Sequence, residues 1–273
     1  MKNEVDWQRY DRLHDKTFCE DQAKAMGKLL VNISLKFNKQ TEKLSILDFG
    51  CGTGDTFKRS LEINGIKIKK YTGVDINKTA LERFKKTVPS ITGCKNIQLL
   101  NKSIHDLDDI EMEADILICQ NNSLLGMGSQ QQIVATINRF IKNPNNINSM
   151  AILSFVPWDT HRQARHYSFT DWKFMSDKTG GFYLKVDVFE SSKERTVTQN
   201  IYIKDDKGIS LYPYKLLRRN TDEIEGMFAN INWIDVCTLE ENVDPKVSSE
   251  SEFYAVLGPR NWLVPAANPK NLR

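Results

Sequence analysis

At 273 residues, with 40% apolar and 27% charged side chains, the chain has an ordinary globular composition and the length for a substantial core. Thirty-eight basic residues stand against 35 acidic ones, a net +3, and they form no block long enough to read as a nucleic-acid arm. The longest apolar runs, ADILIC and MAILSFV, are too short to cross a bilayer, so no membrane segment is expected.

The polar start MKNEVDWQRYDRLHDK lacks the apolar stretch of a secretory signal, and the expectation is a cytoplasmic protein. Cys19, Cys51, Cys94, Cys119 and Cys237 are dispersed with no C-x-x-C pair. That predicts reduced thiols, with neither a disulfide framework nor a metal site.

In chain order, DQAKAMGKLLVNISLKF places Met26, Leu29, Leu30, Ile33 and Phe37 at helical spacing. KLSILDF reads as a first strand, with a helix opening at Gly54. YTGVDI is a second strand, followed by a helix carrying Leu81, Phe84 and Val88 on one face and Asn77 as its cap. NIQLLN and ADILIC are strands three and four. The helix QQQIVATINRFI presents Ile133, Val134, Ile137, Phe140 and Ile141 before the fifth strand, MAILSFV. Strands alternating with helices predict an α/β, doubly wound Rossmann-like sheet of parallel βαβ units; their spatial order is not readable.

After Pro157 the pattern changes. FYLKVDVFE, RTVTQNIYIK and ISLYPYKLL, joined by the turn-like SSKE and DDKG, predict an antiparallel meander. Asn220 and Glu223 resemble a capping box before Ile224, Met227, Phe228 and Ile231, and WIDVCTL and EFYAVLG would complete the sheet.

The segment DFGCGTG carries the chemistry. Its spacing is G-x-G-x-G with Asp48 before it, whereas a dinucleotide fold prefers G-x-G-x-x-G and a phosphate loop ends in Lys-Ser/Thr. An acid there repels a pyrophosphate and suits a cationic, amino-acid-like ligand. Asp75, at the end of strand two, can accept both hydroxyls of a ribose. The plainer reading is a turn, with Asp75 capping the next helix.

With these residues, and with SIHDLDD after strand three and ADILIC as strand four, the chain resembles the class I S-adenosylmethionine-dependent methyltransferases over roughly residues 44–156. The resemblance implies S-adenosylmethionine as cofactor and S-adenosylhomocysteine as product. It implies that Gly50, Gly52 and Gly54 pass under the methionine part, with Cys51 among them, and that Asp48 orients the loop or meets the amino group through water. Asp75 would hold the ribose, with Ile76 beside it. Ser103 and Ile104 align with the adenine-reading positions, where Ser103 departs from the acid common in the family. Adenine recognition then falls to the Ile104 backbone or to Asp106. Gln120 would border the cofactor from the end of strand four.

CQNNSLLGMG lacks the Asn/Asp-Pro-Pro-aromatic sequence of base-amine methyltransferases, and Cys119 reads as a buried strand thiol. The segment is similar in layout to glycine N-methyltransferase and related small-molecule enzymes. That implies a small methyl acceptor, positioned by Asn122 and Ser123. Beyond strand five, Trp158, His161, Arg162, Arg165, His166 and Tyr167 concentrate in WDTHRQARHYSF. There Arg162 or Arg165 would clamp a substrate carboxylate and His161 or His166 would serve as base, against the alternative of a solvated loop. Tyr214, in LYPYKLL, would face the acceptor, and Tyr10 would close the site or pack as a staple with Trp7.

The expected organisation is a helical segment over residues 1–40, a cofactor core over 41–156, a substrate-lid insertion over 157–217, the end of the sheet over 218–260 and a tail over 261–273. The expected reaction is methyl transfer to nitrogen of a small, carboxylate-bearing metabolite by in-line attack. Alternatives are an O-methyltransferase with a histidine base and a non-catalytic cofactor-binding partner subunit. Nucleic acid is not the expected partner, and a homo-oligomer is left open.

Overall fold

The computed structural model describes residues 16–36, 38–91, 93–120, 130–146, 149–155, 172–176, 182–191, 196–217, 221–228, 231–235 and 253–257. Helix α1 (Lys16–Lys36) precedes β1 (Ser45–Phe49), α2 (Asp55–Asn64), β2 (Ile68–Val74), α3 (Lys78–Thr87) and β3 (Cys94–Leu100). Then come β4 (Ile116–Cys119), α4 (Gln130–Lys142) and β5 (Met150–Phe155). After these follow β6 (Trp172–Ser176), β7 (Phe182–Ser191), β8 (Thr196–Asp205), β9 (Gly208–Leu217), α5 (Thr221–Met227), β10 (Ile231–Asp235) and β11 (Phe253–Leu257).

The main sheet has seven strands in the order β10-β11-β5-β4-β1-β2-β3. The five from β3 to β5 are parallel, while β11 and β10 add antiparallel at the β5 edge. The chain reverses direction across the sheet between β1 and β4, which is where open α/β sheets bind ligands.

Strand alternation distributes two cores. Ile46, Ile116, Ile118, Met150 and Ile152 pack with Met26, Leu29, Leu30 and Ile33 of α1, and with Phe57, Leu61 and Phe84 of α2 and α3. Leu47, Phe49, Leu117, Cys119, Ala151 and Leu153 pack on the opposite side with Ile133, Ile137 and Phe140 of α4 and with Ile224 and Phe228. The predicted doubly wound α/β class is what the chain adopts. Asn77 caps α3 as expected, its Oδ1 accepting from the Thr79 and Ala80 amides at 3.1 and 3.2 Å.

At the foot of β1, Asp115 accepts from both the amide and the hydroxyl of Ser45, each at 2.7 Å, and forms an ion pair with Lys39. One carboxylate thus ties the start of β4, the start of β1 and the segment after α1 together.

The expected meander is β7-β8-β9, and it belongs to a separate four-stranded antiparallel sheet, β6-β7-β8-β9. The sequence reading did not include β6, which pairs Trp172–Ser176 against Phe182–Val186. One local expectation fails. Ile231 does not extend the stripe of α5, which ends at Met227; it opens β10, paired with Leu257. The β-branched pair Ile231 and Ile234 suits that strand, and Ile224 and Phe228 already bury the helix. Phe37 and Asn220 lie outside the described residues.

Candidate active site

The strand ends of the parallel sheet bring four sequence-distant pieces to one edge. The turn after β1 holds Gly50, Gly52 and Gly54 at φ of 71°, 54° and 73°, a left-handed conformation that L side chains resist. Gly50 donates its amide to the Val74 carbonyl at 2.8 Å, so the turn starts as a continuation of the sheet. Gly54 then caps α2, and a Cβ there would meet the Phe84 ring at 2.3 Å. At Gly52 a Cβ would meet nothing within 4 Å among the described residues, which leave this face of the turn open.

Asp75 follows β2 directly. Its Oδ2 accepts from the Gly52 amide at 2.8 Å and its Oδ1 from the Asn77 amide at 2.7 Å. One carboxylate thus fastens the glycine turn to the start of α3. Asn101, after β3, donates to the carbonyls of Asp75 and Ile76, both at 3.0 Å. Ile76 itself is 78% exposed, a large apolar side chain left open beside the acid.

After β3, Ser103 accepts from the His105 amide at 3.3 Å and so caps the short turn Ile104–Asp106. Ile104 is buried, while His105 and Asp106 are exposed.

Gln120 follows β4 and is 9% exposed; its Nε2 has no hydrogen-bond partner among the described residues. A buried donor left open costs free energy until something accepts from it. Cys119 is fully buried, as expected of a strand thiol.

Asp48 is the most constrained group at this edge. It is 7% exposed and lies on the same face of β1 as Ile46, which is otherwise apolar. The Tyr71 hydroxyl donates to its Oδ2 at 2.6 Å. Burial pushes the carboxyl up to about 7, against the lowering effect of the Tyr71 hydrogen bond and with a smaller push from Asp75. Burial raises the Cys51 and Tyr71 groups as well, so both are held neutral. The Tyr71 ring stacks on Phe57 with centroids 3.7 Å apart and lies tilted against Phe84 at 5.6 Å.

The predicted set Asp48, Gly50, Cys51, Gly52, Gly54, Asp75, Ile76, Ser103, Ile104 and Gln120 therefore gathers at the strand ends. Tyr10, Asn122, Ser123, Trp158, His161, Arg162, Arg165, His166 and Tyr167 lie outside the described residues. Tyr214 is in β9, opposite Gln199. Two residues escaped the sequence reading, Tyr71 and Asn101. Tyr71 had a signal: a strand residue two before Gly73, the glycine that pairs with Asp48. Among the described residues, no group of three or more acidic, histidine or cysteine side chains could hold a metal ion. Among them, too, no helix is long and apolar enough to cross a membrane.

Residues 46–144 match the family model described as a methyltransferase domain. No curated protein sequence matches the chain. Among solved structures, the CcbJ methyltransferase from Streptomyces caelestis superimposes with a TM-score of 0.60 at 13% identity, covering 88% of this chain and 90% of that one. S-adenosylmethionine-bound CalS10, an amino pentose methyltransferase from Micromonospora echinaspora, gives 0.58 at 13% identity, with 94% and 98% covered. DesVI from Streptomyces venezuelae gives 0.57 at 14% identity, with 88% and 93% covered. The chain shares with these solved methyltransferases a Rossmann-like fold, and its match to the methyltransferase-domain model falls on the parallel half of that fold.

Proposed function

We propose that this enzyme transfers a methyl group from S-adenosylmethionine to nitrogen of a small, carboxylate-bearing metabolite. The observation that carries the cofactor reading is the Asp75–Gly52 link, which holds an acid for a ribose beside an open glycine turn.

The residues present fit that cofactor. The space over Gly52 admits a ligand against bare backbone, and the Gln120 amide offers an unused buried donor. Asp75 keeps acceptor capacity beyond the two amides it receives. Asp48 supplies negative charge for a cationic amino-acid end, Ile76 an open apolar face for a base, and Ile104 its backbone. When bound, S-adenosylmethionine supplies a methyl group already activated by its sulfonium. The protein's part is then to hold the acceptor in line at near-contact distance and to keep water out.

A neutral amine needs positioning and desolvation, which Asn122 and Ser123 would provide from the segment after β4. Arg162 or Arg165 would take a substrate carboxylate bidentately. His161 or His166 would remove a proton from a protonated amine. Trp158, Tyr167, Tyr214 and Tyr10 would complete the walls. CalS10 is described as an amino pentose methyltransferase, and an acceptor that carries an amine is compatible with nitrogen as the target. The four-stranded sheet that follows β5 suits an acceptor lid over 157–217, with 1–40 closing the site and 41–156 and 218–260 forming the core. The proposed location is cytoplasmic.

The test is calorimetric titration with S-adenosylmethionine and S-adenosylhomocysteine, followed by mass-spectrometric screening of amino and hydroxy metabolites. Micromolar cofactor binding and mass gains of one methyl on amines bear the proposal out. Transfer only to hydroxyls overturns the nitrogen assignment, and binding of neither ligand overturns the cofactor.

A further inference from the structure

Asp48 and Tyr71 form a buried acid–phenol pair directly beneath the glycine turn. The pair sits in a face of the sheet packed largely with aliphatic and aromatic side chains. Among the described residues the Tyr71 hydroxyl is the one hydrogen-bond partner of the Asp48 carboxylate. The phenol is not free to move. Its ring is stacked on Phe57 of α2 and tilted against Phe84 of α3, and Phe84 is the ring that Gly54 passes over. Gly73, opposite Asp48 on β2, makes room for the Cys51 sulfur, which would lie 2.8 Å from a Cβ there. Among the described residues, the titratable groups facing Asp48 from the packed elements are Tyr71 of β2, Cys51 of the turn and Asp75 at the end of β2. The helices α2 and α3 contribute aromatic rings to the cluster.

We propose that Tyr71 is a positioning residue of the cofactor site: its hydroxyl fixes the Asp48 carboxylate under the glycine turn, and capture of a cationic ligand over that turn is coupled to release of a proton from Asp48. This rests on the reading that S-adenosylmethionine binds over Gly50–Gly54. The physical argument is linkage. A carboxyl in this setting is divided between its neutral and ionised forms near neutral pH, with its midpoint at about 7. A cation placed across the turn acts through a weakly screened interior and favours the ionised form. Tyr71 favours the same form by donating to it, so it sets the pH at which the site becomes anionic. Cys51 and Tyr71, themselves held neutral, add no competing charge.

The experiment is titration calorimetry of S-adenosylhomocysteine and S-adenosylmethionine from pH 5.5 to 9, in paired buffers of different ionisation enthalpy. It compares wild type, Tyr71→Phe and Asp48→Asn, with thermal melts of each. Wild-type affinity should fall toward tenfold per pH unit on the acid side of about pH 7. Proton release on binding should approach one on that acid limb, pass through one half near the midpoint and vanish above it. The ligand's own amino group, ordinarily titrating near 7.7–8.0, sets the alkaline side equally for all three proteins. Tyr71→Phe keeps the ring and its stacking, and should move the acid limb upward by about one pH unit. Asp48→Asn should abolish the limb.

An acid limb identical in wild type and Tyr71→Phe overturns the role of Tyr71. A limb that persists in Asp48→Asn overturns the coupling, and this decides the matter even if Tyr71→Phe does not fold. Absence of binding by wild type at every pH overturns the cofactor reading, and this inference falls with it.

Discussion

The Gly52 amide donates to Asp75 Oδ2 at 2.8 Å, linking residues 23 apart in sequence. The two ends of adjacent parallel strands are thereby held as one rigid edge: the turn after β1 on one side, the acid after β2 on the other. A ligand that bridges them meets groups already in place, so little of its binding free energy is spent ordering the loop.

Asp75→Ala should therefore act twice. It removes the proposed acceptor for a ribose and also releases the Gly52 amide. We expect S-adenosylhomocysteine affinity to drop tenfold or more, about 1.4 kcal/mol. The Gly52 amide should also exchange with solvent faster in the unliganded protein. Calorimetry and amide exchange by mass spectrometry separate the two effects. An unchanged affinity would remove Asp75 from the site.

The glycine turn gives a paired contrast. Gly54→Ala places a methyl 2.3 Å from Phe84 at a φ of 73°, in an aromatic cluster with no slack. The strain and overlap should cost about 3 kcal/mol or more of stability. Gly52→Ala carries a φ of 54° but meets no atom of the described residues within 4 Å. Its stability cost should be about 1–2 kcal/mol, the ordinary left-handed penalty. Its methyl occupies the side of the turn proposed for the cofactor, so S-adenosylhomocysteine binding should be lost. Thermal melts with and without S-adenosylhomocysteine distinguish a fold defect at 54 from a binding defect at 52.

Much of this was legible because local signals and tertiary demands agree. The alternation of Ile46, Leu47 and Phe49 and the helical stripe of Ile133, Ile137 and Phe140 both appear in the two cores. The glycines and Asp75 were readable because only a few residue types tolerate those conformations and that chemistry. Other features depend on distant pairing and leave little trace in a local window. Asp48 and Tyr71 are 23 residues apart and meet only when β1 and β2 align in register. The short strand β6 exists because β7 offers it an edge, and Ile231 leaves the helix for β10 because Leu257 is there to pair with it.

A control at the opposite edge of the sheet tests whether the site is separable from the fold. Asp115 accepts two hydrogen bonds from Ser45 and an ion pair from Lys39, at the foot of the strands. Asp115→Ala should lower stability by about 1–2 kcal/mol, since the Ser45 groups lose a charged acceptor. The Lys39 pair is partly exposed and should add little. S-adenosylhomocysteine affinity should stay within twofold of wild type. A large affinity loss would show that the two edges are coupled through β1.

The last prediction follows from the sign of the Asp48 shift. Its folded value, about 7, lies above the ordinary 3.8, so the folded state holds a proton that the unfolded state releases first. Stability from this group is therefore fullest below pH 4, declines as pH rises from about 4 to about 7, and is flat above that. A shift of that size corresponds to a cost on the order of 4 kcal/mol for the ionised group in the unliganded protein. Asp48→Asn removes the ionisation while keeping an oxygen that can accept from Tyr71. We expect it to stabilise the unliganded protein at pH 8 by about 1–3 kcal/mol, or roughly 3–8 °C in melting temperature. At pH 4 it should do nothing or destabilise slightly, and its loss of S-adenosylmethionine affinity should appear at pH 8, where the wild-type acid is ionised. Melts at the two pH values, each with and without ligand, check this directly. Equal melting shifts at pH 4 and pH 8 would mean that Asp48 does not titrate between them. The expected pattern is one in which the acid destabilises the empty fold and the bound cation offsets that cost, so stability and ligand capture oppose each other at a single buried carboxylate.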